Sequence, residues 1–222
     1  MRYKSFHNDL PKPWDEISTT YAKMNSQFAE TVDDVPFWHC EVSNTAMLAS
    51  AMWQLGFVAA CEQQVTKLHY TGLRGRPAAY DNARLDLYFS SETRGEWVEA
   101  KVVRVSPGGE PIKAMMRRVE ARVIEAEAAL RQITLFATKV EETASALVIG
   151  SVTLGSDHYG AEGRREARKS TLDSFCADLR SLCQERAGTT SAFFADIEDD
   201  AIEAVDGWRA AGVFLIRSGD PT

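Results

Sequence analysis

Arg84-Leu-Asp-Leu-Tyr-Phe89, a short turn, and then Glu96-Trp-Val-Glu-Ala-Lys-Val-Val103 decide how this chain is read. Both segments alternate with the two-residue period of a β-strand. On the first, Arg84, Asp86 and Tyr88 face one way and Leu85, Leu87 and Phe89 the other. On the second, Trp97, Glu99, Lys101 and Val103 share a face opposite Val98, Ala100 and Val102. The connection Ser91 to Gly95 has hairpin length, which makes the strands neighbours. With the polar faces in register, Asp86, Glu99 and Lys101 come together.

Working outward, Pro36 opens a helix, with Asp33 or Asp34 as its N-cap, that runs through Trp38 and Glu41 to Leu55. Gly56 closes it at the left-handed C′ position. Glu41, Thr45, Leu48, Met52 and Leu55 share one helical face, so a carboxylate projects from an otherwise apolar or small-residue stripe. Phe57 to Val65 reads as a strand and 68–82 as a turn-rich loop. After Pro107-Gly-Gly109, an amphipathic helix is expected from Pro111 to about Ala137, then a buried strand from Ala144 to Leu154. Strand, helix and strand in that order predict a right-handed parallel crossover. A second amphipathic helix covers 164–185, with Leu172, Phe175, Cys176, Leu179 and Leu182 inward. Strands at 191–197 and 212–217 follow, with a short helix within the acidic stretch 196–206. At the start, 14–31 reads as an accessory helix.

Hard divalent ions such as Mg²⁺ take oxygen ligands, typically one or two carboxylates with water and substrate phosphate. Asp86 and Glu99 supply carboxylates, and the Ala100 carbonyl between Glu99 and Lys101 is a further candidate ligand. Lys101 is placed to orient or deprotonate a water, or to stabilise the charge of a pentacovalent phosphorus. A rival reading makes Glu99 and Lys101 the solvated face of an edge strand with Asp86 as ion-pair partner. Trp97 and Val103, flanking them on the same face, argue against it. Glu62, in the next strand, competes with Glu41 as an additional ligand, and Asp81 competes with Asp86.

The series helix with Glu41, strand, strand with Asp86, strand with Glu99-Ala100-Lys101, helix, strand resembles the PD-(D/E)XK nuclease superfamily over about 35–154. Leu85 stands where that pattern has proline. The resemblance implies an α/β domain with a mixed central sheet flanked by helices, a restriction-endonuclease-like αβββαβ core. Residues 1–32 would be a helical segment and 155–222 an α/β extension of a single domain. It implies metal-dependent hydrolysis of nucleic-acid phosphodiester bonds, DNA first. Asp86, Glu99 and Lys101 would be catalytic, and Glu41, Asp86, Glu99 and Ala100 would hold Mg²⁺ or Mn²⁺. The alternative is an inactive protein on the same fold that binds nucleic acid or a partner subunit in a defence or repair complex. A third option is a small-molecule enzyme using His69 or His158 with a carboxylate.

The net charge of −7 excludes a globally basic nucleic-acid binder, so any such site is local. Lys67, Arg74, Arg76 and Arg84 stand against one acid, Asp81, between 67 and 84. From Arg104 to Lys139, seven basic residues face four acids. Lys113 and Arg117 lie at a helix N-terminus, where the dipole disfavours cations, which hints at an anionic ligand. These six named residues are the candidate phosphate contacts. The acidic run Asp196, Glu198, Asp199, Asp200 lacks EF-hand spacing and reads as a solvated face. The four cysteines form no CxxC pair or zinc spacing and read as buried small hydrophobes. No apolar run has membrane-spanning length and no signal core follows the first residues, so a cytoplasmic protein with reduced thiols is expected, with a homodimer or partner subunit compatible.

Overall fold

The computed structural model describes residues 2–32, 40–69, 79–134, 141–155, 162–186, 190–198, 203–205 and 208–219. In chain order the elements are β1 (Arg2–Asn8), α1 (Trp14–Val32), α2 (Glu41–Gln54), β2 (Val58–His69), β3 (Ala79–Ser90), β4 (Arg94–Val105) and α3 (Ile112–Leu130). They continue as β5 (Ile133–Thr134), β6 (Glu141–Gly155), α4 (Glu162–Glu185), β7 (Thr190–Glu198), β8 (Glu203–Val205) and β9 (Trp208–Gly219). All described strands join one sheet in the order β1-β7-β9-β6-β4-β3-β2-β5, with β8 attached to β9. β4 and β6 run parallel through the α3 crossover, and every other pairing is antiparallel. The chain is therefore α/β, with a mixed sheet flanked by helices.

Two apolar cores lie on the sheet. Leu48, Ala51 and Met52 of α2 and Trp14, Ile17 and Tyr21 of α1 pack on Leu87, Phe89, Val98, Leu147 and Ile149. Met115, Val119 and Val123 of α3 and Leu172, Phe175 and Leu179 of α4 pack with Val148, Val152, Phe194 and Phe214. Alternation along β6 sends Leu147 and Ile149 into the first core and Val148 into the second, as expected for a strand covered on both faces. Gly150 sits opposite Phe214 in the β6–β9 ladder. A Cβ there would fall 1.9 Å from Phe214 Cζ, beside a ring that packs edge-on against Phe175. Gly150→Ala is expected to destabilise the protein by about 1–3 kcal/mol, because the ring has to leave its packed position. An unchanged urea midpoint for this variant would contradict that packing.

Several expectations change. The helix at 14–31 is not accessory in its packing: Trp14, Ile17, Tyr21 and Ala22 are fully buried. Ser18, Asn25 and Ser26 interrupt its inward stripe, so its periodicity reads weakly in the sequence. The C-terminal third supplies β7 and β9, and β9 lies directly beside β6. The loop expected at 68–82 is shorter at both ends, because β2 runs to His69 and β3 starts at Ala79. The helix expected to reach about Ala137 stops at Leu130, followed by the two-residue strand β5. In the acidic stretch, 203–205 pairs with β9 as a strand. Asp196 is not solvated: it is buried and held by Arg168, which also donates to the Ala211 carbonyl. All four cysteines are unpaired, but Cys40 is exposed and Cys61 half-buried. The N-cap candidates Asp33 and Asp34, and Pro36 expected just inside the helix, lie outside the described residues, and Cys40 stands at the N-cap of α2. Gly56 has φ 87, the left-handed conformation expected at C′. No described helix is long and apolar enough to cross a membrane.

Candidate active site

The β3–β4 hairpin pairs Ser90 with Gly95, Phe89 with Glu96, Tyr88 with Trp97 and Leu87 with Val98. Continued by one step, that register sets Asp86 opposite Glu99. The paired stretch ends at Leu87, however, and Asp86 takes over the next polar contact with its side chain. Its Oδ2 accepts the Ala100 backbone N–H at 2.7 Å. This bond fixes the carboxylate against β4 where the two strands part.

Lys101 gathers the rest. Its Nζ donates to the Ala100 carbonyl at 2.7 Å and to Glu99 Oε1 at 3.0 Å. Asp86 Oδ2 lies 3.9 Å from the same nitrogen and Glu41 Oε2 4.0 Å. Glu41 arrives from the first residue of α2, in the turn where a carboxylate is favoured by the helix dipole. Its helix is anchored by Thr45, Leu48 and Met52, which are buried as their shared face predicts. The hairpin and α2 thus bring Glu41, Asp86, Glu99, Ala100 and Lys101 to one place. The side chain of Glu99 is 6% exposed, Asp86 14%, Lys101 18% and Glu41 33%, a half-sheltered site most exposed at Glu41.

The electrostatics follow from that crowding. Burial, and then the neighbouring Glu99 charge, push the Asp86 carboxyl up to about 6, with the Ala100 N–H and Lys101 offsetting only part. Burial also raises Glu41; Lys101 opposes this, while Glu99, Glu125 of α3 and Glu62 add to it. Burial works against the charge on Lys101, but Glu99, Asp86 and Glu41 together hold it above its ordinary value. An all-oxygen donor set of three carboxylates and one carbonyl suits a hard divalent ion. Among the described residues, no three His, Cys, Asp or Glu side chains converge closely enough to form a ready-made metal cluster. The ammonium of Lys101 sits between them instead.

Glu62, the competitor to Glu41, plays another part. Its φ of 58 puts a non-glycine residue in left-handed backbone, a conformation that costs roughly 1–2 kcal/mol. Cys61–Leu87 and Gln63–Leu85 remain paired on either side, so the distortion is confined to the β2 residue facing Asp86. Its carboxylate meets Arg84 at 3.4 Å rather than Lys101. Strain of this kind clusters at functional sites. Nothing in the sequence marks it, because glutamate is an unusual choice for such a backbone.

The candidate phosphate contacts are spread more widely. Arg74 and Arg76 lie outside the described residues, and Lys67 falls in β2 opposite Asp81. Arg84 is exposed and engaged with Glu62. Lys113 and Arg117 are exposed on the first turns of α3, whereas Arg118 is tied to Glu110 and the Arg104 carbonyl. His69 has only its place in β2 described, and His158 lies outside the described residues. Sequence reasoning missed the tilted Tyr88–Trp97 pair, with centroids 4.4 Å apart, two residues along the hairpin from Asp86 and Glu99. The aromatic residues at matched hairpin positions were the available signal. No protein-family model matches the chain, and neither the curated proteins nor the solved structures contain a match.

Proposed function

We propose that this protein is a metal-dependent nuclease, hydrolysing nucleic-acid phosphodiester bonds and DNA first, on a restriction-endonuclease-like core. The observation that carries the reading is the meeting of Glu41, Asp86, Glu99 and the Ala100 carbonyl within 4.0 Å of the Lys101 nitrogen. The order α2, β2, β3, β4, α3, β6, interrupted only by the two-residue β5 and with β4 and β6 parallel, supports it as the counterpart of an αβββαβ core. Resemblance in element order is an argument by analogy, and the site chemistry has to bear the weight.

Asp86, Glu99 and the Ala100 carbonyl, supported by Glu41, would hold Mg²⁺ or Mn²⁺. Such an ion polarises a phosphoryl oxygen and lowers the pKa of bound water. The chain's own groups do the rest. The Ala100 N–H fixes the rotamer of Asp86. Glu99 is the most sheltered of the three acids and keeps its oxygen next to Lys101. Lys101 offers an ammonium on a flexible stem to the extra negative charge of the transition state. Exposed Lys113, Arg117 and Arg84 would meet a phosphate backbone without reading bases.

One observation favours the second reading, a non-catalytic protein of the same fold that binds nucleic acid or a partner subunit. Lys101 already neutralises part of the acidic cluster, and the acids are not drawn in to ligand spacing. Incubation with supercoiled plasmid and Mn²⁺ separates the two. Nicking or linearisation is expected from the native chain, with Lys101→Ala slower by on the order of 10²–10³-fold. Equal cutting by Lys101→Ala would remove the assignment, and no cutting by either would favour the binding protein.

A further inference from the structure

We propose that Lys101 is the built-in counter-cation of this site: its ammonium stands where a divalent ion would bind, so loading proceeds by displacing it. The inference rests on the metal-dependent reading above and concerns how that metal is admitted.

The four groups named as ligands are the four that the ammonium faces. Two are direct hydrogen bonds, 2.7 Å to the Ala100 carbonyl and 3.0 Å to Glu99. Two are longer electrostatic contacts, 3.9 Å to Asp86 and 4.0 Å to Glu41. Half-sheltered carboxylates this close repel one another, and a cation between them relieves that repulsion. Three carboxylates and one ammonium still leave two negative charges uncompensated, the charge of one divalent ion. That residual charge attracts a divalent ion, while the ammonium holds the position the ion would take. Displacement has low geometric cost, because the four-carbon stem of lysine is flexible while both strands stay in place. Glu62 and Glu125 add further negative charge around Glu41. The exchange links metal arrival to release of the catalytic amine toward an incoming phosphate.

The test is Mn²⁺ binding to the full chain, by titration calorimetry and by loss of free-ion paramagnetic resonance signal. Lys101→Met is expected to bind at least about tenfold more tightly than the native protein. It should also show a larger Mn²⁺-induced rise in melting temperature. Lys101→Arg keeps a cation in place and should bind no better than the native chain; it serves where the methionine variant fails to fold. Asp86→Asn should weaken binding in both the native and Lys101→Met backgrounds, which locates the ion. Equal or weaker affinity in Lys101→Met, tighter binding in Lys101→Arg, or no binding by any variant overturns the inference. The two readings can fail separately. Native protein that cuts DNA while Lys101→Met gains no affinity refutes only the counter-cation. Tight binding by Lys101→Met with no cutting by the native chain refutes only the hydrolase.

Discussion

On the proposed nuclease reading, Asp86→Asn is expected to reduce Mn²⁺-dependent DNA cleavage to background while making the metal-free protein more stable. The two effects share a cause. Burial first, and Glu99 second, raise the Asp86 carboxyl to about 6 from an ordinary 3.8. A carboxyl held above its unfolded value is a burden when ionised. That burden is present in full above pH 6 and fades as pH falls toward the unfolded value, where both states bind the proton. At neutral pH its removal is worth on the order of 2 kcal/mol, allowing for partial solvent access. For a chain of this size that corresponds to a rise in melting temperature of about 4–8 °C. Asparagine keeps an oxygen to accept the Ala100 N–H, and Lys101 keeps Glu99, so the local frame survives. On the proposed metal-binding reading, the same proton would compete with the metal. Affinity of the native chain for Mn²⁺ should therefore climb as pH rises through the region near 6, and flatten above it. A melting temperature lowered by Asp86→Asn, or affinity that is level from pH 5 to pH 8, would contradict the electrostatic account.

Glu96→Ala is expected to be the most destabilising single change outside the apolar cores. Glu96 stands at the start of β4, away from the carboxylate cluster, and is buried. Its Oε1 accepts from Trp14 Nε1 at 2.9 Å, from Ser145 Oγ, and from Arg217 Nε at 3.0 Å. Arg217 lies 6.0 Å from the Trp14 ring centroid. One carboxylate thus ties α1, β4, β6 and β9 together. Truncation leaves a sheltered guanidinium, an indole N–H and a hydroxyl without their acceptor. Breaking a buried pair by removing one partner costs about 3–5 kcal/mol, on the order of 10 °C in melting temperature. Adding Arg217→Met should recover part of the loss, since the stranded charge goes with it. A loss below about 1 kcal/mol in chemical denaturation would mean the node is solvated after all.

What the sequence disclosed depended on how local each feature is. The hairpin and its Asp86, Glu99 and Lys101 were legible because strand alternation and a short turn fix register within twenty residues. The α2 stripe with Glu41 was legible for the same reason, closed by the glycine at 56. Glu96 was not, because its partners come from residues 14, 145 and 217, and an isolated glutamate at a strand start reads as solvated. Asp196 was misread in the same way, since Arg168 reaches it from another element. β1 escaped notice because Arg2–Asn8 is mostly polar and has no clean apolar alternation. The extension of β2 and β3 to His69 and Ala79 was hidden by Lys67, Asp81 and Asn82, poor strand formers whose ladder partner is each other's strand.

The first strand pairs with the seventh, Arg2 with Glu198 and Asn8 with Phe193. During synthesis on the ribosome, β1 therefore emerges well before β7, its partner in the sheet. Pairing across such a sequence gap belongs to the slow end of folding topologies. The nascent chain holds an unpartnered strand throughout that interval, and the sheet can close only after β7 and β9 have emerged.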